Sequence, residues 1–363
     1  MRVLLASGSS GGHIFPALAL MDSLKVKGVS CLLVLPRKCR DNKVLSARPD
    51  IEYITSAPLS LNFNSKSIYG AYSFLKGAWE SLRIIIKFRP EAVIGFGSLH
   101  TIALLFWAWL FRIKTMIHEQ NIIPGRANRL LAGFVDRTAL SFGRTKEYLR
   151  IPEAKMVVTG NPIRLELARV PRAEALDFFK FKEGKFNILI AGGSQGSQKI
   201  NSVSSAAIAS LNRGVELQVI HISGFVDISG FEGVYSSAGI THKLFDFLSA
   251  IQYAYSLADL VICRAGATTI AELQKFGLPA LLIPYPFAYS HQLVNARVLE
   301  EIGAARVILD AQLSTEKLKA MLDELLTDPG KLISMRRAYE KFQVPDAAEL
   351  LAQEVLNLTQ CAG

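Results

Sequence analysis

The sequence predicts an α/β protein with two domains, each built on a parallel sheet. A short apolar strand, a glycine-rich turn and a helix follow one another near the start of the chain and again about halfway along. After each, short apolar runs alternate with helix-like segments, a pattern typical of parallel sheets covered by helices on both faces. A chain of 363 residues is also too long for one ordinary core. Two Rossmann-like domains in tandem are the simplest interpretation.

The first repeat predicts a strand at residues 3–6, a turn from Gly8 to His13 and a helix at 17–25. Further apolar runs predict strands at 31–35, 92–94 and 115–117 and a helix at 102–113. The uncharged stretch 92–111 has the length of a membrane span. Because Gly95 and Gly97 interrupt it, we expect a strand, a turn and a helix instead.

The second repeat predicts a strand at residues 187–191, a turn at 192–196 and a helix at 199–211. Later strands are expected at 217–222, 260–263 and 280–283. A glycine and a proline interrupt the pattern at Gly160-Asn161-Pro162, which places the domain boundary there. We therefore expect domains at 1–162 and 163–343. The remaining segment, 344–363, should close the chain with an amphipathic helix over 346–358.

Composition excludes several classes of protein. Four scattered cysteines without a C-x-x-C pair suggest neither a disulfide framework nor a zinc site. No signal-peptide pattern follows the first residues, so no export is expected. A net charge of +10 suits polyanionic partners such as anionic lipid or phosphorylated small molecules. Nucleic acid has no support beyond charge, because zinc-finger spacing, an aromatic RNA-binding strand and a basic-region helix are all missing.

The two glycine-rich turns are the first candidates for chemistry. Neither matches G-x-G-x-x-G, so a nicotinamide or flavin cofactor is not indicated. Both stand where a strand feeds a helix, and the free N–H groups of a first helical turn attract phosphate. The alternative is that the glycines only allow chain and helix to pack closely. Two such turns, each with hydroxyl residues, favour two anionic ligands.

Both turns also match G-x-S-x-G, with Ser10 and Ser194 at the centre, which suggests a serine hydrolase of the α/β type. Such a hydrolase has one serine elbow, followed by an acid and then a histidine near the end of a single domain. Here the match occurs twice and the last histidine is His291. We therefore treat the hydrolase as the alternative hypothesis.

Polar residues follow the first and the later strands at their carboxyl ends, where ligands collect in open α/β sheets. His13 follows the first turn directly, and a histidine near its usual pKa of about 6.5 can act as a general base. His118, Glu119, Gln120 and Asn121 follow the strand at 115–117. A purely structural histidine and a hydrogen-bonded turn are the alternatives for these two groups.

In this order and spacing, several segments together resemble the MurG family, bacterial N-acetylglucosaminyltransferases of glycosyltransferase family 28. The likeness runs over almost the whole chain. It is carried by Gly11-Gly12-His13 with Pro16, His118 to Asn121, Gly160 to Arg164, Gly192 to Gly196 with Asn201, Cys263 to Ala267, Glu272, and Gln292 with Asn295.

The resemblance implies a GT-B fold, with two Rossmann-like domains facing across a cleft. It also implies inverting transfer of N-acetylglucosamine from UDP-N-acetylglucosamine to lipid I, the undecaprenyl-pyrophosphoryl-N-acetylmuramyl-pentapeptide. Lipid II for peptidoglycan synthesis is the expected product. The enzyme is expected at the cytoplasmic face of the inner membrane, as a peripheral protein on an anionic surface, with other cell-wall synthesis proteins as partners.

Site residues are carried over by position. His13 is the expected general base, with Glu119 as the alternative. The donor-binding set is Arg164, Ser194, Gln195, Gly196, Asn201, Leu248, Arg264, Ala267, Glu272, Gln292 and Asn295. The acceptor-binding set is Ser10, Gly11, Gly12, His13, Asn121 and Asn128, and Arg164 also stands on the acceptor side. No cofactor or metal is expected, because no Asp-x-Asp pair is present to hold a cation.

Three departures from the family pattern put an altered acceptor or a catalytically weakened nucleotide-sugar binding protein among the alternatives. Gly97-Ser98-Leu99 replaces a segment that usually contains a tyrosine. Ser249-Ala250 replaces an acidic pair. His291 stands where glutamine is common.

Two further features have competing interpretations. Ile68, Tyr72, Leu75 and Trp79 fall on one helical face near Lys66, Lys76, Arg83 and Lys87, which predicts either a membrane-binding patch or a core-facing stripe. Glu272 is expected to accept hydrogen bonds from a ribose. A surface ion pair with Lys275, one turn later, is the alternative.

Overall fold

The computed structural model describes residues 1–40, 45, 48–55, 65–193, 196–211, 216–224, 229–287, 291–341 and 346–360. The chain divides into two compact units, here called unit 1 (residues 1–165 and 345–363) and unit 2 (residues 166–344). The division falls a few residues after the expected boundary at 162. The C-terminal segment belongs to unit 1.

Unit 1 contains a seven-stranded parallel sheet in the order β3-β2-β1-β4-β5-β6-β7. Its strands are β1 (Arg2–Ala6), β2 (Ser30–Pro36), β3 (Ile51–Ile54), β4 (Ala92–Gly95), β5 (Lys114–Glu119), β6 (Arg137–Leu140) and β7 (Met156–Val158). In the register, Val3 faces Cys31 on one side and Ala92 on the other. Both faces of β1 and β4 are buried, as their unbroken apolar sequences predict.

The first helices of unit 1 are α1 (Gly11–Val26), α2 (Ser65–Phe88), α3 (Leu99–Leu110) and α4 (Arg126–Leu131). The predicted start of α1 at residue 17 was wrong. The helix starts at Gly11, directly after Ser10, and Pro16 lies inside it. The predicted helix at 102–113 was also displaced, because Arg112 adopts a left-handed φ of 55° that ends the helix at Leu110.

Unit 2 contains a six-stranded parallel sheet in the order β10-β9-β8-β11-β12-β13. Its strands are β8 (Phe186–Ala191), β9 (Leu217–Ile222), β10 (Thr241–Phe245), β11 (Leu260–Cys263), β12 (Ala280–Leu282) and β13 (Ala305–Val307). Its helices are α5 (Arg172–Phe179), α6 (Gln198–Ala209), α7 (Ser229–Ser237), α8 (Ile251–Leu257), α9 (Ala267–Phe276), α10 (His291–Glu301), α11 (Thr315–Thr327) and α12 (Pro329–Arg337). The α/β fold with two parallel sheets is thus confirmed.

The last helix, α13 (Ala347–Gln360), packs on unit 1. Leu351, Val355 and Leu358 enter the same apolar core as α1 and β1. Gly160 has a φ of 79°, and a Cβ at this position would lie 3.0 Å from the Cβ of Ala347. The segment before the division therefore needs glycine to pass close to α13.

No helix among the described residues is long and apolar enough to cross a membrane. The stretch 92–111 forms β4, a turn and α3, as predicted from its glycines.

Candidate functional site

In each sheet, the order in which strands are added changes sides at the first strand. From β1, the chain runs to β2 and β3 on one side and then to β4 on the other, and β8 has the same relation to β9 and β11. Ligands of open α/β sheets bind outside the carboxyl ends of the strands at such switch points. The glycine-rich turns follow β1 and β8, so each lies at the switch point of its own unit.

In unit 1, His13 lies in the first turn of α1, beyond the carboxyl end of β1. Its Nδ1 is 2.9 Å from the Oγ of Ser10, the residue that precedes the helix. A Cβ at Gly8 would lie 2.6 Å from that same nitrogen, and a Cβ at Gly97 would lie 3.3 Å from Nε2. The ring therefore fits because two neighbouring positions, one after β1 and one after β4, carry no side chain.

Glu119 ends β5 and is almost fully buried. One carboxylate oxygen accepts hydrogen bonds from the backbone N–H and the Nδ2 of Asn121, at 2.9 and 3.3 Å. The other accepts from the Gly125 N–H and from Asn128 Nδ2, at 3.0 and 2.9 Å. Burial raises the pKa of Glu119, although these hydrogen bonds oppose the shift. The carboxylate thus organises the loop after β5.

His118 is completely buried one residue earlier. Its Nε2 lies 3.0 Å from the Gly160 carbonyl, and its Nδ1 lies 3.2 Å from Gln120 Nε2. Desolvation lowers its pKa to about 4, so the imidazole is neutral at physiological pH. A neutral ring that donates through Nε2 and accepts through Nδ1 satisfies both contacts.

Asn128, on α4, joins the loop after β5 to the region of His13. Besides Glu119, its Nδ2 donates to the His118 carbonyl at 3.1 Å, and it would lie 3.5 Å from a Cβ at Gly97. Its Oδ1 is buried and has no hydrogen-bond partner in the described part of unit 1. Buried amide oxygens are nearly always paired, so this acceptor is a candidate contact for a ligand donor.

Arg164 lies near the end of the main segment of unit 1. Its guanidinium carbon is 4.3 Å from the ring centroid of Phe15, which is on α1. The structure thus brings Arg164 to the helix that carries Gly11, Gly12 and His13.

In unit 2, the turn after β8 also depends on glycine. Gly193 and Gly196 have φ values of 92° and 75°, and a Cβ at Gly192 would lie 2.7 Å from the Ser197 nitrogen. Ser194 and Gln195, both predicted donor contacts, lie outside the described residues. Asn201 is fully buried on α6, where its Nδ2 donates to the Ser223 carbonyl at 2.9 Å.

Arg264 follows β11 and ties several loops of unit 2 together. It donates to the Ile283 and Pro284 carbonyls, at 3.1 and 3.3 Å, and to Ser197 Oγ at 2.9 Å. It also forms a 2.6 Å ion pair with Asp310. Because so many of its N–H groups are engaged, the geometry favours a role in shaping the turn at the switch point.

Ala267 is the first residue of α9, so its backbone N–H is among the donors at the start of a helix. Farther along α9, Glu272 is only 8% exposed and accepts a 2.8 Å hydrogen bond from the Tyr255 hydroxyl. Lys275 is exposed. A surface ion pair requires an exposed carboxylate, so this alternative does not describe Glu272.

The other predicted donor contacts also lie in unit 2. Gln292 Oε1 accepts from the backbone N–H groups of Ala265 and Tyr285, at 3.2 and 3.0 Å. Asn295 is fully buried on α10 and Leu248 is buried in the loop before α8, whereas Phe247 is half exposed. Gln292 thus connects the loops after β11 and β12.

The positions that depart from the family pattern are also visible. Leu99 is exposed at the start of α3, and Ala250 directly precedes α8. His291 is the first residue of α10 and is partly buried.

Unit 1 exposes an apolar surface on α2, α3 and α4. Tyr72, Leu75 and Trp79 are 60%, 68% and 55% exposed, so the stripe on α2 does not face the core. The side chains of Ile68 and Lys66 lie outside the described part. The surface continues with Ile86, Phe106, Trp109, Leu110, Phe111, Leu130 and Phe134. We call this set the apolar face of unit 1.

Several partners were not predicted from sequence. Asp310 and Ser197 hold Arg264, Tyr255 holds Glu272, and Phe15 underlies Arg164. They come from distant parts of the chain and match no local motif. Across the described ranges, no group of three or more His, Cys, Asp or Glu side chains could hold a metal ion.

Two Rossmann-like units in one chain, each with a glycine-rich turn at its switch point, are the architecture found in glycosyltransferases of the GT-B class. Family models for glycosyltransferase family 28 match the chain as its N-terminal domain over residues 3–140 and as its C-terminal domain over residues 187–351. The chain belongs to glycosyltransferase family 28.

Relatives match over nearly the full length. The chain is 36% identical to a protein of Halothermothrix orenii named UDP-N-acetylglucosamine--N-acetylmuramyl-(pentapeptide) pyrophosphoryl-undecaprenol N-acetylglucosamine transferase, with 97% of both chains covered. A Natranaerobius thermophilus protein of the same name is also 36% identical, with 96% of this chain and 97% of that one covered. The crystal structure of Acinetobacter baumannii MurG superposes with a TM-score of 0.76 at 27% identity, covering 99% of each chain.

Proposed function

We propose that this protein transfers N-acetylglucosamine from UDP-N-acetylglucosamine to lipid I, with inversion at the anomeric carbon. The observation that supports this proposal most strongly is the full-length similarity to relatives named for this transfer. The crevice around His13 in unit 1 and the glycine-rich turn in unit 2 supply the two kinds of site that such a reaction needs.

His13 is our proposed general base. His13 Nδ1 lies 2.9 Å from Ser10 Oγ, and in the tautomer whose Nδ1–H donates to that oxygen, Nε2 is the nitrogen that receives the proton from the acceptor hydroxyl. That hydroxyl oxygen then attacks the anomeric carbon from the face opposite UDP. Glu119 is not our proposed base, because four N–H donors already occupy the lone-pair positions of its carboxylate.

The uridine nucleotide belongs, in this proposal, to unit 2. The starts of α6 and α9 present backbone N–H groups to the pyrophosphate, as helix N-termini do. Glu272 binds the ribose hydroxyls, the Leu248 backbone contacts the uracil, and Gln292 with Asn295 contacts the sugar. Helix N–H groups and cationic side chains stabilise the departing UDP without a divalent metal. Activity that disappears in EDTA and returns with magnesium or manganese would contradict this part.

The apolar face of unit 1 is our proposed membrane contact, at the cytoplasmic face of the plasma membrane. Its aromatic and aliphatic side chains are exposed over three helices, with the exposed basic residues Lys76, Arg83 and Lys87 on α2 beside them. Such a combination suits an interfacial protein on anionic lipid. Contacts with other cell-wall synthesis proteins are part of the same proposal.

The serine hydrolase is the remaining alternative with a specific observation in its favour, the contact between Ser10 and His13. However, a nucleophile elbow holds its serine in a strained turn, whereas Ser10 has an ordinary extended backbone with φ −85° and ψ 151°. The geometry therefore favours the transferase.

One assay separates the alternatives. The protein is incubated with radiolabelled UDP-N-acetylglucosamine and a short-chain lipid I analogue, and the products are resolved by chromatography. A glycosylated lipid supports the proposal. Free sugar without labelled lipid supports hydrolysis, and binding of UDP without turnover supports a weakened binding protein.

A further inference from the structure

Phe15 has no assigned role, yet its ring is the surface on which Arg164 rests. The guanidinium carbon lies 4.3 Å from the ring centroid, the shortest such cation–ring contact among the described residues. A cation within about 6 Å of an aromatic face is attracted by the ring quadrupole, more strongly where water is excluded. A planar guanidinium packs well against an aromatic face, so a contact this short restricts the orientation of the Arg164 side chain.

Arg164 is held there with an unused donor. Its Nε is buried and has no hydrogen-bond partner within the described structure. A buried N–H without an acceptor is costly, and native structures keep such groups mainly where they serve a function. The missing acceptor suggests an anionic ligand beside the guanidinium.

The start of α1 is built around the Phe15 ring. Gly11 is one helical turn before Phe15, and a Cβ at Gly11 would lie 3.1 Å from Phe15 Cε2. The other edge of the ring packs against the apolar core of unit 1. Gly11 therefore leaves room for the ring to lie over the first turn of the helix. Apart from the His13 N–H, which donates to the Ser10 carbonyl at 3.0 Å, the N–H groups of that turn have no acceptor within the helix.

From these three observations we propose that Phe15 is a positioning residue that holds Arg164 beside the first turn of α1, so that guanidinium and helix N–H groups bind one substrate pyrophosphate together. This inference rests on the proposed transfer reaction, in which both substrates carry a pyrophosphate. The shared chemistry is the diphosphate, and the two substrates are distinguished by the experiment.

Simple core packing is the competing explanation, and it predicts different behaviour. If Phe15 only fills space, Leu should replace it with a modest loss of stability and no effect that depends on Arg164. If Phe15 acts through Arg164, loss of the aromatic face should matter only while the guanidinium is present.

The test is a double-mutant cycle with Phe15→Leu, Arg164→Ala and the combined variant, together with Phe15→Tyr, which keeps the aromatic face. UDP affinity is measured by calorimetry, and the Michaelis constants of UDP-N-acetylglucosamine and of a short-chain lipid I analogue are measured by product formation. A weaker affinity for UDP identifies the donor pyrophosphate, and a raised Michaelis constant for lipid I alone identifies the acceptor.

We expect Phe15→Leu to weaken one of these affinities by about 3- to 30-fold, while kcat changes little. Phe15→Tyr should remain close to wild type. In the Arg164→Ala background, Phe15→Leu should have no further effect on either substrate.

Tyr53→Leu is the matched control, since Tyr53 is a partly buried aromatic residue on β3 that packs against the same core and lies 5.9 Å from the Arg40 guanidinium carbon. It should change stability without changing either affinity. Additive effects of Phe15→Leu and Arg164→Ala, or equal losses in Phe15→Leu and Phe15→Tyr, would overturn the positioning role. A wild-type protein that makes no labelled lipid would instead refute the proposed function.

Discussion

The two units place a glycine-rich turn at the same point of the same kind of sheet, but they surround it differently. In unit 1 the glycines at positions 8 and 97 make room for the imidazole of His13. In unit 2 the glycines at 193 and 196 supply left-handed backbone, and the nearby Arg264 is already engaged by Asp310. One crevice is built around a titratable ring and the other around backbone N–H groups.

Under the proposed function, this difference separates two tasks, with the general base in unit 1 and the nucleotide in unit 2. In the proposed reaction, proton transfer needs a base at a fixed place, and the 2.9 Å contact between His13 Nδ1 and Ser10 Oγ positions the imidazole in unit 1. Binding a nucleotide diphosphate needs oriented donors, which a turn and a helix start provide without added charge. Variants around His13 in unit 1 should therefore lower the rate, and variants around the glycine-rich turn and the start of α9 in unit 2 should lower donor affinity.

The largest expected effect follows from filling the space beside His13. In Gly8→Ala, the new Cβ would meet His13 Nδ1 at 2.6 Å and the Cβ of Ser98 at 3.1 Å, so the imidazole must move. We expect kcat to fall by about 10²- to 10⁴-fold, the usual loss when a general base is removed. Gly143→Ala, where a Cβ meets nothing within 4 Å, is the control and should remain near wild type. Activity in Gly8→Ala close to that of Gly143→Ala would contradict the role of this space.

Low pH should reduce the folding stability of both units, because each contains a buried histidine. Burial lowers the pKa of His118 in unit 1 and of His221 in unit 2 to about 4, against an ordinary value of 6.5. As the pH falls below 6.5, only the unfolded chain takes up these protons, so stability present at neutral pH is lost between pH 6.5 and 4. From pH 7 to pH 5 the expected loss is about 2 kcal/mol per histidine.

The two contributions can be separated because all three tryptophans, at positions 79, 107 and 109, lie in unit 1. Urea unfolding followed by tryptophan fluorescence reports the stability of unit 1. In His118→Asn, this stability should no longer fall steeply between pH 7 and pH 5. The matched variant His221→Asn should leave the fluorescence-detected pH dependence unchanged. An unchanged dependence in His118→Asn would show that the histidine is not neutral in the folded protein.

Removal of the buried carboxylate in unit 2 should affect donor binding. Charge-assisted hydrogen bonds contribute about 1.5–3 kcal/mol, so Glu272→Ala is expected to weaken UDP binding about 10- to 150-fold and to raise the donor Michaelis constant more than it lowers kcat. Because Tyr255 donates a hydrogen bond to Glu272, some stability should also be lost. Tyr255→Phe is the control for that loss. Unchanged UDP affinity by calorimetry in Glu272→Ala would mean that the ribose site lies elsewhere.

The smallest expected effect concerns the apolar face of unit 1. Trp79→Ser should lower the affinity for vesicles containing anionic lipid, measured by sedimentation, by about tenfold. The variant lacks the large apolar side chain that moves from water into the membrane interface. Phe178→Ser, which removes a partly exposed aromatic residue of unit 2, is the control. Binding should weaken with salt, and equal binding to neutral vesicles would argue against the proposed membrane contact.

Sequence periodicity was sufficient for the two sheets and for the place of both turns, because strand-turn-helix order and apolar runs are local properties. It was less informative at helix ends, because α1 starts at Gly11 within the glycine-rich turn and the left-handed backbone of Arg112 follows the end of α3. Sequence periodicity also could not predict solvent exposure, because a helical stripe that includes Leu75 and Trp79 has the same spacing whether it faces a core or solvent.

Within the site, the resemblance to a family named the residues but not their partners. The carboxylate of Glu119 accepts four hydrogen bonds from the loop after β5 and from α4. Arg264 forms an ion pair with Asp310, 46 residues later. No motif encodes such contacts.

The most direct measurement compares rate and donor affinity in one preparation of His13→Ala. We expect kcat for lipid I glycosylation to fall by about 10²- to 10⁴-fold while the Kd for UDP remains near that of the wild type. Transfer within a few-fold of the wild-type rate would contradict the assignment of the base. A large loss of UDP affinity in the same variant would contradict the division of tasks between the two units.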